Sequence, residues 1–234
     1  MATRLYLPFH GGSGAAVPFS PVQSASWEAI RGGGLVRDNT KTTAIADAIG
    51  TLSDTADGGN GNYDLVDIQW LSLELTAGQT VTGSQAVKAQ VQGSKPHANG
   101  GAALAVGIRV INITGPTVKK TVLDVTRDNI DLVVTTITNR QFTATSAATN
   151  YTTVAGDYLV IEMGVGGDPV VGGSNHKNTL RLGDNGSDLP EDNTDTSTTL
   201  VPWVELADTL SFVGAAATSL LPNLHRSQRA LQRR

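Results

Sequence analysis

The residues best placed to do chemistry in this sequence are acids. Asp184, Asp188, Glu191, Asp192 and Asp195, with Asn185 and Asn193 among them, offer enough hard oxygen atoms for a calcium ion. Their spacing matches no calcium loop of the Asp-x-Asn-x-Asp-Gly kind. A solvated acidic loop is therefore the expectation, with Asp184, Asp188 and Asp192 as weak calcium candidates. Glu162 and Glu205 each fall in a strand-like run and could be the paired carboxylates of a glycosidase, a reading open to any two acids in a β domain. The four histidines, His10, His97, His176 and His225, lie far apart in loop-like or tail sequence. With no cysteine, no His-x-x-x-His pair and no Glu-x-x-His, a transition-metal site is not expected. Gly11-Gly12-Ser13-Gly14 misses the Gly-x-Ser-x-Gly elbow because position 15 is Ala, and no phosphate loop occurs. A Ser-His-Asp triad could come only from distant loops. The residues thus lead us to expect no catalytic group, no metal, no cofactor and no enzyme.

The elements that would carry these residues are strands. Gly156 to Gly164 reads as a central strand, with Tyr158, Val160 and Glu162 on one side and Leu159, Ile161 and Met163 on the other. Tyr63 to Leu75 places Leu71, Leu73 and Leu75 opposite Trp70, Ser72 and Glu74, and Val81 to Gln92 reads as half-solvated. Ala102 to Ile113 is apolar on both faces except for Arg109 and Asn112, which suits the middle of a sheet. Val118 to Val125 and Ile130 to Ile137 read as strands joined by a tight turn at Arg127-Asp128-Asn129. Further strands are expected at Gln141 to Thr145, around Leu180 to Leu182 and at Leu200 to Leu206. No segment carries a long helical period. The pattern predicts an all-β, antiparallel jelly-roll sandwich over residues 63–212. Residues 1–62 are expected to form an N-terminal arm and an irregular segment packed on the body, anchored by Leu5, Leu7 and Trp27. A linker and basic tail would fill 213–234, with a short helix from Leu224 to Arg233.

A chain of 234 residues can bury a core without disulfides, and no apolar run is long enough for a signal peptide or a membrane span, so a soluble chain off the standard export route is expected. Charge is unevenly distributed. Arg226, Arg229, Arg233 and Arg234 stand in a tail without acids, leaving 13 bases against 21 acids, a net of −8, for residues 1–219. Such a tail reads as an interaction arm, with Leu221, Leu224 and Leu231 as its apolar anchors. Nucleic acid is not the expected partner, because four arginines beside an acidic body make a small electrostatic footprint.

Four stretches carry a resemblance. They are Ala-Thr-Arg-Leu-Tyr-Leu-Pro at residues 2–8 with Trp27 downstream, the 156–162 strand, Asp188-Leu-Pro-Glu-Asp-Asn-Thr194, and Pro202-Trp203-Val204-Glu205. Together they resemble a group of tailed-bacteriophage structural proteins with a jelly-roll core. The resemblance implies a non-enzymatic virion component assembled in the host cytoplasm: a capsid decoration protein held by the major capsid protein or by neighbouring copies, and a homo-oligomer. A connector or tail protein is one alternative. A carbohydrate- or receptor-binding module stacking sugars on Trp27, Tyr63, Trp70 or Tyr151 is another.

Overall fold

The computed structural model describes residues 2–10, 16–31, 34–43, 50–53, 63–96, 98, 101–167, 178–183, 187–196 and 200–214. The C-terminal candidates Leu221, Leu224, Arg226, Arg229, Leu231, Arg233 and Arg234, with the proposed tail helix, lie outside them. So do Asp184, Ser13 and the histidines other than His10. The described residues contain only strands, turns and irregular segments. In chain order the strands are β1 (Thr3–Tyr6), β2 (Ala29–Ile30), β3 (Val36–Asn39), β4 (Gly50–Ser53), β5 (Tyr63–Glu74), β6 (Thr80–Val81), β7 (Ala86–Ser94) and β8 (Ala102–Asn112). They continue with β9 (Gly115–Asp131), β10 (Thr138–Thr145), β11 (Tyr151–Thr152), β12 (Asp157–Gly167), β13 (Thr179–Leu182), β14 (Ser187–Asp188), β15 (Leu200–Val201) and β16 (Trp203–Leu206).

Two six-stranded sheets face each other. One runs β1-β16-β7-β13-β4 with β10 on the other side of β7; the second runs β2-β5-β12-β8-β9 with β3 also on β5. Pairing is antiparallel except where β2 and β3 run parallel to β5, and in the small β14–β15 pair. One core joins the inward faces, with Leu5, Val87, Ala89, Val91, Phe142, Leu180 and Val204 from the first sheet meeting Ile68, Trp70, Val106, Ile108, Ile161 and Met163 from the second. Burying apolar side chains of this size at ~25 cal/mol per Å² is the main stabilising term. The central strand is β12, which pairs with β5 on one side and β8 on the other; its Leu159, Ile161 and Met163 face the core as the alternation predicts.

Two expectations are corrected. Leu71, Leu73 and Leu75 do not share a face. A register slip between Tyr158 and Val160 inserts an extra residue into β5, so Leu71 packs outward with Val160 and Phe19, Leu73 is exposed, and Leu75 turns into the core. Nor do Arg127-Asp128-Asn129 make a turn. They lie within β9, whose five register shifts against β8 absorb polar residues that would otherwise break the alternation. Ion pairs hold two of them in the strand, Arg127 to Asp64 and Asp128 to Arg140.

Candidate functional site

Asp38 is a carboxylate facing the wrong way for a soluble strand. In β3 the inward positions are Val36 and Asp38, and Asp38 has no exposed surface. A buried carboxylate needs donors. Its Oδ1 accepts the Asn39 amide at 2.7 Å, its Oδ2 accepts the His10 amide at 2.9 Å, and both oxygens lie 2.8 Å from His10 Nδ1. His10 is brought there by fixed points on the chain leaving β1. Gly183 donates its amide to the Leu7 carbonyl, Trp70 donates its indole N–H to the Pro8 carbonyl, and the Phe9 ring lies against Gly50, where a Cβ would collide with it. The His10 side chain is 37% exposed, so the dyad sits at the surface with its acid inside. Because a carboxylate only accepts, neutral His10 carries its proton on Nδ1 and has its lone pair on Nε2. That is how an acid orients a general base in acyl transfer.

A second polar cluster fastens residues 16–28 across the outer face of the β5-β12-β8 sheet. Glu162 is fully buried and accepts from Arg109, from Gln69 Nε2 at 2.9 Å, from the Ser24 amide at 3.0 Å and from Trp27 Nε1 at 3.0 Å. Arg109 also donates to the Val22 carbonyl at 2.9 Å, and Arg37 bridges Gln69 and the Pro21 carbonyl. With four donor groups, Glu162 is a structural carboxylate. Glu205 lies on the outer face of the other sheet, ion-paired with Arg4 at 2.8 Å, so the two acids never face one substrate and the glycosidase pairing fails.

Asp188 and Asp192 are spent in the same way. Asp188 is held by Arg4 at 2.6 Å, while Arg4 covers the Trp203 ring at 3.8 Å from its centroid. Asp192 Oδ1 accepts from the Thr194 and Asp195 amides and from Asn139, and the amide donors hold its pKa below the ordinary carboxylate value. Donors thus occupy two of the weak calcium candidates, and no metal-ligating group of three side chains forms among the described residues. Of the N-terminal anchors, Leu5 and Leu7 are buried in the core, and Trp27 is buried against Val66 and Ala105. Its indole N–H is taken by Glu162, and Trp70 is a core residue with no exposed surface, so neither offers a sugar platform.

Sequence reasoning missed the His10–Asp38 dyad because 28 residues separate the partners and no motif spans them. Its signal was one acid at an inward strand position.

No protein-family model matches the chain, and no curated protein matches it in sequence. Solved structures do match. An alpha-amino acid ester hydrolase aligns over 90% of this chain and 36% of its own, at 12% identity and a TM-score of 0.51. The chain shares its fold with part of a hydrolase. A CocE/NonD family hydrolase from Staphylococcus aureus aligns over 89% of this chain and 36% of its own, at 10% identity and a TM-score of 0.43. The infectious bursal disease virus VP2 subviral particle aligns over 79% of this chain and 48% of its own, at 12% identity and a TM-score of only 0.24. The chain therefore spans about a third of the length of the hydrolases it matches. These findings overturn the expectation of a non-enzymatic bacteriophage structural protein, and with it the capsid-decoration and virion assignments. The virus likeness is too low to carry them, and the reported match with a TM-score above 0.5 is to part of an ester hydrolase.

Proposed function

We propose that the chain is a β unit of hydrolase type, acting on esters, in which His10 is the general base and Asp38 the acid that orients it. The observation that carries this reading is the buried Asp38, with both oxygens 2.8 Å from the Nδ1 of a surface imidazole. His10 Nε2 takes the proton of a water as its oxygen bonds to the ester carbonyl carbon. Asp38 stabilises the imidazolium, which returns the proton to the departing alkoxide as the acyl–oxygen bond breaks. The ester hydrolase of like fold supports the substrate class.

A jelly-roll winding belongs to the same proposal. It is supported by main strands that cross between the sheets at β5-β7, β7-β8, β9-β10, β10-β12 and β12-β13, with β8-β9 a hairpin inside one sheet.

The test is hydrolysis of p-nitrophenyl and α-amino acid esters by the full chain. Turnover should fall to background in His10→Ala and by about ten-thousandfold in Asp38→Asn, with circular dichroism unchanged in the histidine variant. Turnover indifferent to His10→Ala, or none from the wild-type chain, would overturn the reading.

A further inference from the structure

One side chain in β5 is placed to serve both halves of the His10–Asp38 dyad. Along the parallel β3–β5 ladder Trp70 is the Cα partner of Asp38, and partners in such a ladder present their side chains to the same face. The tryptophan and the acid thus stand side by side on the inner face, each without exposed surface. From there the indole reaches the chain leaving β1 and donates its N–H to the Pro8 carbonyl at 2.9 Å. Pro8 stands two residues before His10 and has no N–H to give, so its carbonyl is the one main-chain group by which that residue can be hydrogen-bonded.

A buried indole N–H needs an acceptor, and any carbonyl in reach would satisfy it. Here the acceptor lies on the segment whose position decides the 2.8 Å contacts between His10 Nδ1 and the two Asp38 oxygens. That segment has to cross between layers, because β1 belongs to one sheet and β3 to the other. Main-chain bonds fasten it as far as Leu7. Tyr6 exchanges two of them with Lys41, the Leu7 amide donates to the Pro202 carbonyl, and the Leu7 carbonyl accepts from Gly183. The indole carries the fastening one residue further, and it does so from the position in β5 registered on Asp38.

We propose that Trp70 is the positioning residue of the dyad: standing beside Asp38, it holds through its indole N–H the chain that presents His10 to that acid. It acts through His10 and Asp38. Displacing such a group by about 1 Å costs roughly a hundredfold in rate, and that is the loss expected when the N–H is removed. The anchor stands on geometry; that the dyad it sets is catalytic rests on the proposed function.

Trp70→Phe keeps an aromatic ring in the core and removes the donor. Its control is Trp203→Phe, because Trp203 is likewise without exposed surface and donates its indole N–H to a main-chain carbonyl, that of Leu189, at 2.9 Å. In NMR of the 15N-histidine-labelled chain, the Nδ1 proton of His10, assigned by its loss in His10→Ala, should be slow to exchange. It should exchange about tenfold faster in Trp70→Phe and at the wild-type rate in Trp203→Phe. With p-nitrophenyl esters, kcat should fall about a hundredfold in Trp70→Phe with KM within about twofold, while Trp203→Phe leaves both within about twofold of wild type. A proton exchanging at the wild-type rate in Trp70→Phe, or equal losses of kcat in the two variants, would overturn the positioning role. Should phenylalanine prevent folding, benzothienylalanine at position 70, in which sulfur replaces only the N–H, gives the same readings. A chain without turnover whose Nδ1 proton still responds to Trp70→Phe would sink the proposed function and leave the anchor standing.

Discussion

Glu162 and Arg109 form an ion pair diagonally across neighbouring strands with almost no exposed surface, and Glu162 is the counter-charge that makes the buried guanidinium tolerable. Glu162→Gln leaves the guanidinium buried without its counter-charge and should cost ~3–5 kcal/mol in urea unfolding. Trp27, freed from its acceptor, should become more exposed and shift its fluorescence to the red. Replacing both by well-packed apolar residues should recover most of the loss, which would identify the pair as a specificity device for the segment it grips. Tyr151 offers a pH handle. Burial first, and then its hydrogen bond to the Asp157 carboxylate at 2.8 Å, raise its pKa to about 12. The folded value lies above the unfolded one near 10, so its contribution is complete below about pH 10 and is lost as pH rises through about 12. Absorbance at 295 nm should record that late titration, and Tyr151→Phe should flatten the alkaline limb of the stability curve.

At the scale of elements, β12 was legible because its alternation is clean and both faces are packed; β8 was legible because a run apolar but for Arg109 and Asn112 suits a strand covered on both sides. The misreadings at β5 and β9 share a cause. A bulge adds one residue and inverts the face of everything beyond it, and period-two counting has no symbol for that. The second irregularity, between Met163 and Gly164, has a marker in hindsight. A Cβ on Gly164 would fall 1.9 Å from the Leu65 carbonyl oxygen, so only glycine allows the two backbones to approach this closely. Gly164→Ala should cost about 1–3 kcal/mol, read as a lower urea midpoint at unchanged slope. The dyad was illegible for a different reason. His10 leaves an edge strand of one sheet and Asp38 belongs to an edge strand of the other, and only the closure of the two layers makes them neighbours.

At the scale of the whole molecule, composition predicted the class of architecture because no stretch has a helical period and strands of modest length recur. Role was another matter. Resemblance in a few strand and loop stretches pointed to virus particles, while the fold is shared with part of an ester hydrolase, and a fold is shared far more widely than the work it does.

The pairing of Thr3 with Leu206 has a consequence for synthesis. A nascent chain exposes β1 well before its partner β16 has been made. At about 5–20 residues per second that wait is roughly ten to forty seconds. Throughout it, the apolar Leu5 and Leu7 have no finished layer to enter, and other chains growing on the same messenger are close by. The same delay leaves closure of that sheet edge to a late strand, so the route of birth, as much as final stability, governs when the body shuts.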